Sequence, residues 1–284
     1  MNDNVLLLGA VAYDPKVVTI WDGFKHYFAK RGLPFDYVLY SNYERQVEAH
    51  FSGHIHVAWN SPLAWLQSER IARALGRRAE AICMRDTDRD LTSLIIVRPD
   101  GVGEVSALRG KRVAVGASDS PQATLIPLGY LASQGLEPGR DFDVVAFDRL
   151  VGKHGDHIGG ERDAVRALLR GEADAACLID GNYLLFAQEG TLPSGATRIL
   201  ARTPAYDHCN FTVLENAPPE LIGRFRQLLL EMSYADPEVR PLLDLEGLKQ
   251  WQPARTSGYR ALAAAVDRFG TINSFVTTVV TQCS

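Results

Sequence analysis

The chain holds 284 residues, 46% of them hydrophobic and 23% charged, with a formal net charge of −4. That length suits two modest domains or one large one, and the charge balance excludes a polycation built for nucleic acid or an anionic membrane surface. Four scattered cysteines (Cys83, Cys177, Cys209, Cys283), without CxxC spacing, exclude a disulfide framework and fit a reducing compartment.

At the start, Val5–Leu8 is too short for a secretory apolar segment, and no basic region precedes it. No stretch approaches the length of a transmembrane helix, so direct membrane insertion is not expected. As it stands the sequence reads as cytoplasmic, and as periplasmic if the chain is a processed form.

Residues 5–10 read as a buried strand ending in the loop Gly9-Ala-Val-Ala-Tyr13-Asp-Pro15. A helix follows over 17–30, with Val18, Trp21, Phe24, Lys25 and Phe28 near helical spacing and Gly32 as its stop. Strands over 35–40 and 56–59 alternate with helices over 43–51 and 62–75, the latter opened by Asn60-Ser61-Pro62. This βαβαβ beginning predicts a parallel sheet with right-handed crossovers. Strands over 79–84 and 91–97 come next, the second leading out of the first domain.

A second domain then starts over at Gly110-Lys-Arg-Val-Ala-Val-Gly116, which runs into Ala117-Ser-Asp-Ser-Pro-Gln-Ala-Thr124. Val113–Val115 reads as a buried strand, Ser118, Asp119 and Ser120 are all helix N-cap types, and Pro121 suits the first helical position. Such a strand–turn–helix directs amide N–H groups and hydroxyls at one spot, where a small anion can be held. Strands over 143–147 and 173–179 flank a helix over 162–170. Strands over 199–203 and 211–214 carry the chain back to helices over 219–233, 237–243 and 259–269. The expected domains are 1–97 plus 204–284, and 98–203, with a ligand between two lobes that close by a hinge.

With these residues placed, the sequence resembles the phosphate, phosphite and phosphonate substrate-binding proteins of ABC importers. The carriers are the Gly9–Pro15 loop, Gly53-His-Ile-His-Val-Ala-Trp-Asn-Ser-Pro-Leu-Ala64, Leu108–Ser118, and Ala164-Val-Arg-Ala-Leu-Leu-Arg-Gly-Glu-Ala-Asp-Ala-Ala176. The resemblance implies an α/β, two-lobed, type II periplasmic-binding-protein-like fold. It would have two mostly parallel sheets flanked by helices and a ligand cleft between the lobes. The family's tyrosine after the first strand matches Tyr13, and its hydroxyl-rich turn matches Ser118-Asp119-Ser120. Its polar groups after later strands match the region of Glu161, Asp180 and Asp207-His208. Asn60, after the third strand, is expected to face the cleft as well.

Two features depart from that pattern. Asp119 stands where the family has a neutral hydroxyl. A carboxylate there is expected to cap the helix and to repel a phosphonate, by about 4 kcal/mol per pair of like charges at ~4 Å and an effective dielectric of ~20. The second is His154-Gly-Asp-His157-Ile-Gly-Gly-Glu161, with Asp207-His208-Cys209 far downstream. Imidazole, carboxylate and thiolate form a donor set for zinc or iron, which makes His154, His157, Glu161, His208 and Cys209 the metal candidates. The expectation is that His157 and its neighbours hydrogen-bond loop backbone and ligand with no cofactor, zinc or iron being the alternative. Because adjacent strand residues face opposite sides, His208 and Cys209 are not expected to pair. Asp119, Glu161, Asp180 and Asp207 are expected to border one cleft and to repel one another there.

The expected function is therefore solute binding. A small polar ligand, phosphonate-like or zwitterionic, would be captured and handed to a membrane permease or a sensor. The alternative is a cytoplasmic enzyme on the same fold, metal-dependent or not, acting on a small metabolite, as the thiamin pyrimidine synthases and late menaquinone-pathway enzymes are. No Walker loop, GxSxG or HExxH motif supports a hydrolase or kinase, and no catalytic residue is assigned.

Overall fold

The computed structural model describes residues 4–156 and 158–283, and His157 lies outside them. In chain order come β1 (Leu6–Val11), α1 (Lys16–Lys30), β2 (Phe35–Tyr40), α2 (Tyr43–Phe51), β3 (Val57–Asn60), α3 (Pro62–Ala74) and β4 (Ala79–Arg85). Next are β5 (Ser93–Val97), β6 (Arg112–Val115), a π-helical turn over Pro121–Leu125 that runs into α4 (Ile126–Ser133), β7 (Asp143–Ala146), α5 (Gly159–Leu169), β8 (Ala175–Ile179), α6 (Asp180–Gln188) and β9 (Arg198–Arg202). The chain finishes with β10 (Asn210–Leu214), α7 (Pro219–Leu230), α8 (Arg240–Glu246), β11 (Trp251–Pro253), α9 (Arg260–Phe269) and α10 (Asn273–Cys283).

Two compact units result. The first takes the chain up to Arg89, then Asp207–Ser257, then from Ile272 onward; the second takes Asp90–Tyr206 and Gly258–Thr271. These borders differ from the expected 97/98 and 203/204. The strand expected to end the first domain, β5, is hydrogen-bonded between β8 and β9 in the second unit's sheet. The helix α9 also belongs to the second unit, where Gly129 lets α4 approach it: a Cβ at Gly129 would lie 2.8 Å from Ala265 Cβ.

In the first unit the sheet order is β11-β4-β10-β3-β1-β2. β1 runs parallel to β2 and β3, as right-handed βαβ units require. β10 enters antiparallel between β3 and β4. In the second unit the order is β7-β6-β8-β5-β9, parallel among β7, β6 and β8 and antiparallel across β5. Both sheets are therefore mixed: the strands that carry the chain between units arrive from the opposite direction.

Alternation builds the cores. Leu6, Leu8 and Ala10 join an aromatic cluster with Trp21, Phe24 and Phe28 of α1, Phe211 of β10, Phe225 of α7 and Trp251. The opposite sheet face packs Tyr43, Val47 and Phe51 of α2, Ile71 of α3 and Val279 of α10. The buried stripe of α1 is Val17, Ile20, Trp21, Phe24, Tyr27 and Phe28, whereas Val18 and Lys25, expected on it, are exposed. In β5, Leu94 and Ile96 face α5 and α6 while Ile95 and Val97 face α4.

Candidate functional site

Ligands of open α/β sheets bind beyond the carboxyl ends of parallel strands. In the first unit that edge collects the loop after β1, the ends of β3 and β4, and the start of β10, since Asn210 pairs with Asn60. Tyr13 lies in the first loop, half-buried against the aromatic core, with Lys16 Nζ 5.9 Å from its ring centroid. Asn60 is fully buried and committed to the protein: its Oδ1 accepts from Gln46 Nε2 at 2.8 Å and its Nδ2 donates to Thr212 Oγ1 at 2.9 Å. Ser61 caps α3, accepting from the Ala64 amide at 3.1 Å. These bonds tie α2, β3 and β10 together.

Beside them sits a buried ionic cluster that sequence reasoning missed. Arg85 grips Asp88 with Nε to Oδ2 at 2.6 Å and Nη2 to Oδ1 at 2.8 Å, and its Nη1 reaches Glu246 Oε1 at 3.2 Å. Burial alone would raise the Asp88 carboxyl, but the Arg85 charge and hydrogen bonds, with help from His208, hold it down at about 2. The only legible signal was the i, i+3 spacing of Arg85 and Asp88 at a strand end. His208 Nδ1 lies 3.5 Å from Asp88 Oδ1 and 3.1 Å from Cys209 Sγ. The expectation that His208 and Cys209 could not meet fails, because β10 begins only at Asn210 and the two residues precede the pleat. Asp88, His208 and Cys209 are the one group among the described residues whose donor atoms all lie within 4.8 Å of one another. Asp207, also buried, is held by Arg255 through two bonds of 2.7 and 2.6 Å.

In the second unit the corresponding edge holds the loops after β6, β7 and β8. Ser118 is exposed, and its amide donates to Asp148 Oδ1 at 2.7 Å. Ser120 is buried and is the helix cap: its Oγ accepts from the Ala123 amide at 3.1 Å, with Pro121 next in line. Asp119 does not cap the helix as expected; its Oδ2 instead accepts from the Gly152 amide at 2.5 Å. The loop from 148 to 155 thus folds over the turn. Gly155, at φ +75°, allows this, since a Cβ there would lie 2.2 Å from Ser120 Oγ. His154, at φ +51°, is fully buried within this loop.

Glu161, at the start of α5, accepts from the Ile179 amide at 3.0 Å and from Asn182 Nδ2 at 2.8 Å. Asp180 Oδ2 accepts from Thr92 Oγ1 at 2.7 Å and lies 3.2 Å from Arg202 Nη1. The four carboxylates expected to repel one another are therefore each engaged by donors, and Asp207 belongs to a different unit from Asp119, Glu161 and Asp180. The metal candidates divide in the same way: His154 and Glu161 in the second unit, His208 and Cys209 in the first.

A family model described as the phosphonate ABC transporter's periplasmic substrate-binding protein matches residues 10–259. Among solved structures, PhnD1 of Prochlorococcus marinus, in complex with methylphosphonate, superposes with a TM-score of 0.71 at 17% identity, over 95% of this chain and 100% of that one. A binding protein component of an ABC phosphonate transporter from Pseudomonas aeruginosa gives 0.63 at 13%, over 98% and 97%. The periplasmic aliphatic sulphonate binding protein SsuA of Escherichia coli gives 0.58 at 16%, over 95% and 88%. The likenesses establish the fold, and the enzyme alternative draws no support from them. Nor does a family described as periplasmic support the cytoplasmic expectation. Among the described residues no helix is long and apolar enough to cross a membrane.

Proposed function

Because the chain belongs to the phosphonate-type substrate-binding family of ABC transporters, with a small-molecule ligand and a membrane permease as partners, we propose that its solute is a small phosphonate-like or zwitterionic compound held at the Ser118–Ser120 turn. The observation that carries this reading is the turn itself. It leaves β6 at the carboxyl edge of the sheet, presents the exposed Ser118, and opens a capped helix whose dipole favours negative charge. Ser118 and Ser120 then have different tasks. Ser118→Ala is expected to weaken methylphosphonate binding by about 1–2 kcal/mol through a lost charge-assisted hydrogen bond, with the thermal midpoint unmoved. Ser120→Ala is expected to lower stability by about 1 kcal/mol through the lost cap. Calorimetry and thermal unfolding on both variants check this; unchanged affinity in Ser118→Ala would remove the turn from the site.

We read the Asp88–His208–Cys209 group as a brace rather than a metal centre. Arg85 already occupies both Asp88 oxygens, and its guanidinium would repel an entering cation. Dialysis against a chelator is expected to leave the melting temperature unchanged, and a drop of several degrees would speak for a bound ion.

A further inference from the structure

A second face of α1 borders an open groove. Thr19, Gly23, His26 and Lys30 follow one another at helical spacing, beside the buried stripe. Small residues at 19 and 23 leave room next to α8, and a groove of about 540 Å³ opens there. A Cβ at Gly23 would come within 2.8 Å of Leu242 Cδ1, so a larger residue at that position would narrow it. The volume falls in the range of small-molecule sites. The groove lies wholly within the first unit, and none of its residues belongs to the solute turn or to the Arg85 cluster.

Its character changes from end to end. Lys30 meets Glu238 at 3.7 Å while Gly23 faces Leu242, so α8 runs antiparallel to α1. Leu242 and Leu245 wall the end near Gly23 and Thr19, and Leu245 is 37% exposed. Lys30 and Arg31 stand at the other end. Arg31 lies over the Tyr27 ring at 3.8 Å and donates to the Tyr27 carbonyl at 3.4 Å, which leaves most of its N–H donors for a ligand. Among the described lining residues Glu238 is the only acid. Its ion pair with Lys30 is exposed on both sides, so an incoming anion can take Lys30 over at little cost. From Thr19 to Lys30 the helix rises about 16 Å, the reach of one short extended chain.

We infer that this groove binds a free single-chain amphiphile with an acidic head, of the kind a medium-chain carboxylate represents. The head lies on Lys30 and Arg31, and the tail runs along Leu242 and Leu245. Every two methylenes taken out of water tighten such binding by about tenfold. An uncharged head forfeits the charge-assisted hydrogen bonds at Lys30 and Arg31, and a cationic head is repelled there.

Titration calorimetry at about pH 7, below micelle-forming concentrations, tests this on the whole chain with hexanoate, octanoate and decanoate. Affinity should rise about tenfold at each step along the series. Decanol and decyltrimethylammonium should each bind at least about tenfold more weakly than decanoate. Lys30→Gln, at an exposed position, should weaken decanoate about tenfold and leave decanol unchanged. Leu245→Asp, also exposed, sets a charge where the tail ends and should abolish the gain from octanoate to decanoate. If either variant fails to fold, the wild-type series and the comparison of head groups still decide. Absence of decanoate binding, affinity indifferent to chain length, or decyltrimethylammonium held as tightly as decanoate each overturns the inference. Sedimentation of a dimer that decanoate neither enters nor dissociates would give the groove to a second copy of the chain and overturn it as well.

Discussion

Replacing Arg85 by Met is expected to lower the free energy of unfolding by about 3–5 kcal/mol. The cause is what stays behind. Asp88 and Glu246 have side chains only 2% and 4% exposed, and without the guanidinium each must either hold a poorly solvated charge or take up a proton, and both cost folding free energy. Arg85 also lies over the Trp59 ring at 5.2 Å, so the methylene stem of Met recovers some packing but none of the charge. Urea denaturation near neutral pH gives the number. Adding Asp88→Asn to the variant should restore a measurable part of the loss, since the uncompensated carboxylate is then gone. A loss below about 1 kcal/mol would mean that the cluster is solvated and is not the brace described here.

The second large effect is acid lability centred on α2. His50 is buried, and burial pushes its imidazole from 6.5 down to about 4. The His56 backbone offsets a little of this, and the charges of Arg77 and His56 add to it. A group whose folded-state pKa is depressed favours the folded state fully above the unfolded value of 6.5, and that advantage is lost as pH falls towards about 4. The shift corresponds to roughly 3 kcal/mol. Asp88, also depressed, acts in a separate window, losing its contribution between 3.8 and about 2. Stability measured from pH 7 downward should therefore drop first through the His50 window. His50→Leu should flatten that first drop and leave the more acidic one. An unaltered slope in the variant would place the titrating group elsewhere.

Periodicity carried most of the architecture, because β1 to β4 and β6 to β8 are apolar runs bounded by turn chemistry that the fold uses directly. It failed where a residue's local preference opposed its final state. The α10 stretch Asn273-Ser-Phe-Val-Thr-Thr-Val-Val-Thr-Gln-Cys283 is rich in β-branched residues, and its helix stands on packing against α2 and α3. The helix α6, absent from the expected elements, starts directly after β8 with Gly181 and Asn182 in its first turn. The loop after β1 and the Ser118–Ser120 turn after β6 stand where the sequence puts them, because strand ends and caps are local signals. Asp148 on the Ser118 amide, Arg255 on Asp207 and Arg202 on Asp180 could not be placed. Each partner is distant in sequence, and a charged residue after a strand looks the same whether it meets a ligand or an arginine.

The position of β10 sets an order of events on the growing chain. It is hydrogen-bonded to both β3 and β4, yet it is residues 210–214, about 150 positions after β3. Until it emerges, the first sheet is split into β1–β3 and a lone β4, each with an open edge. The strands of the second sheet are complete once residue 202 is made. The earlier half of the sequence thus waits for the later one, with unpaired edges exposed to neighbouring chains in the meantime. Long-range closure of this kind is slow, because the chain between β4 and β10 must be brought together before their pairing rewards it.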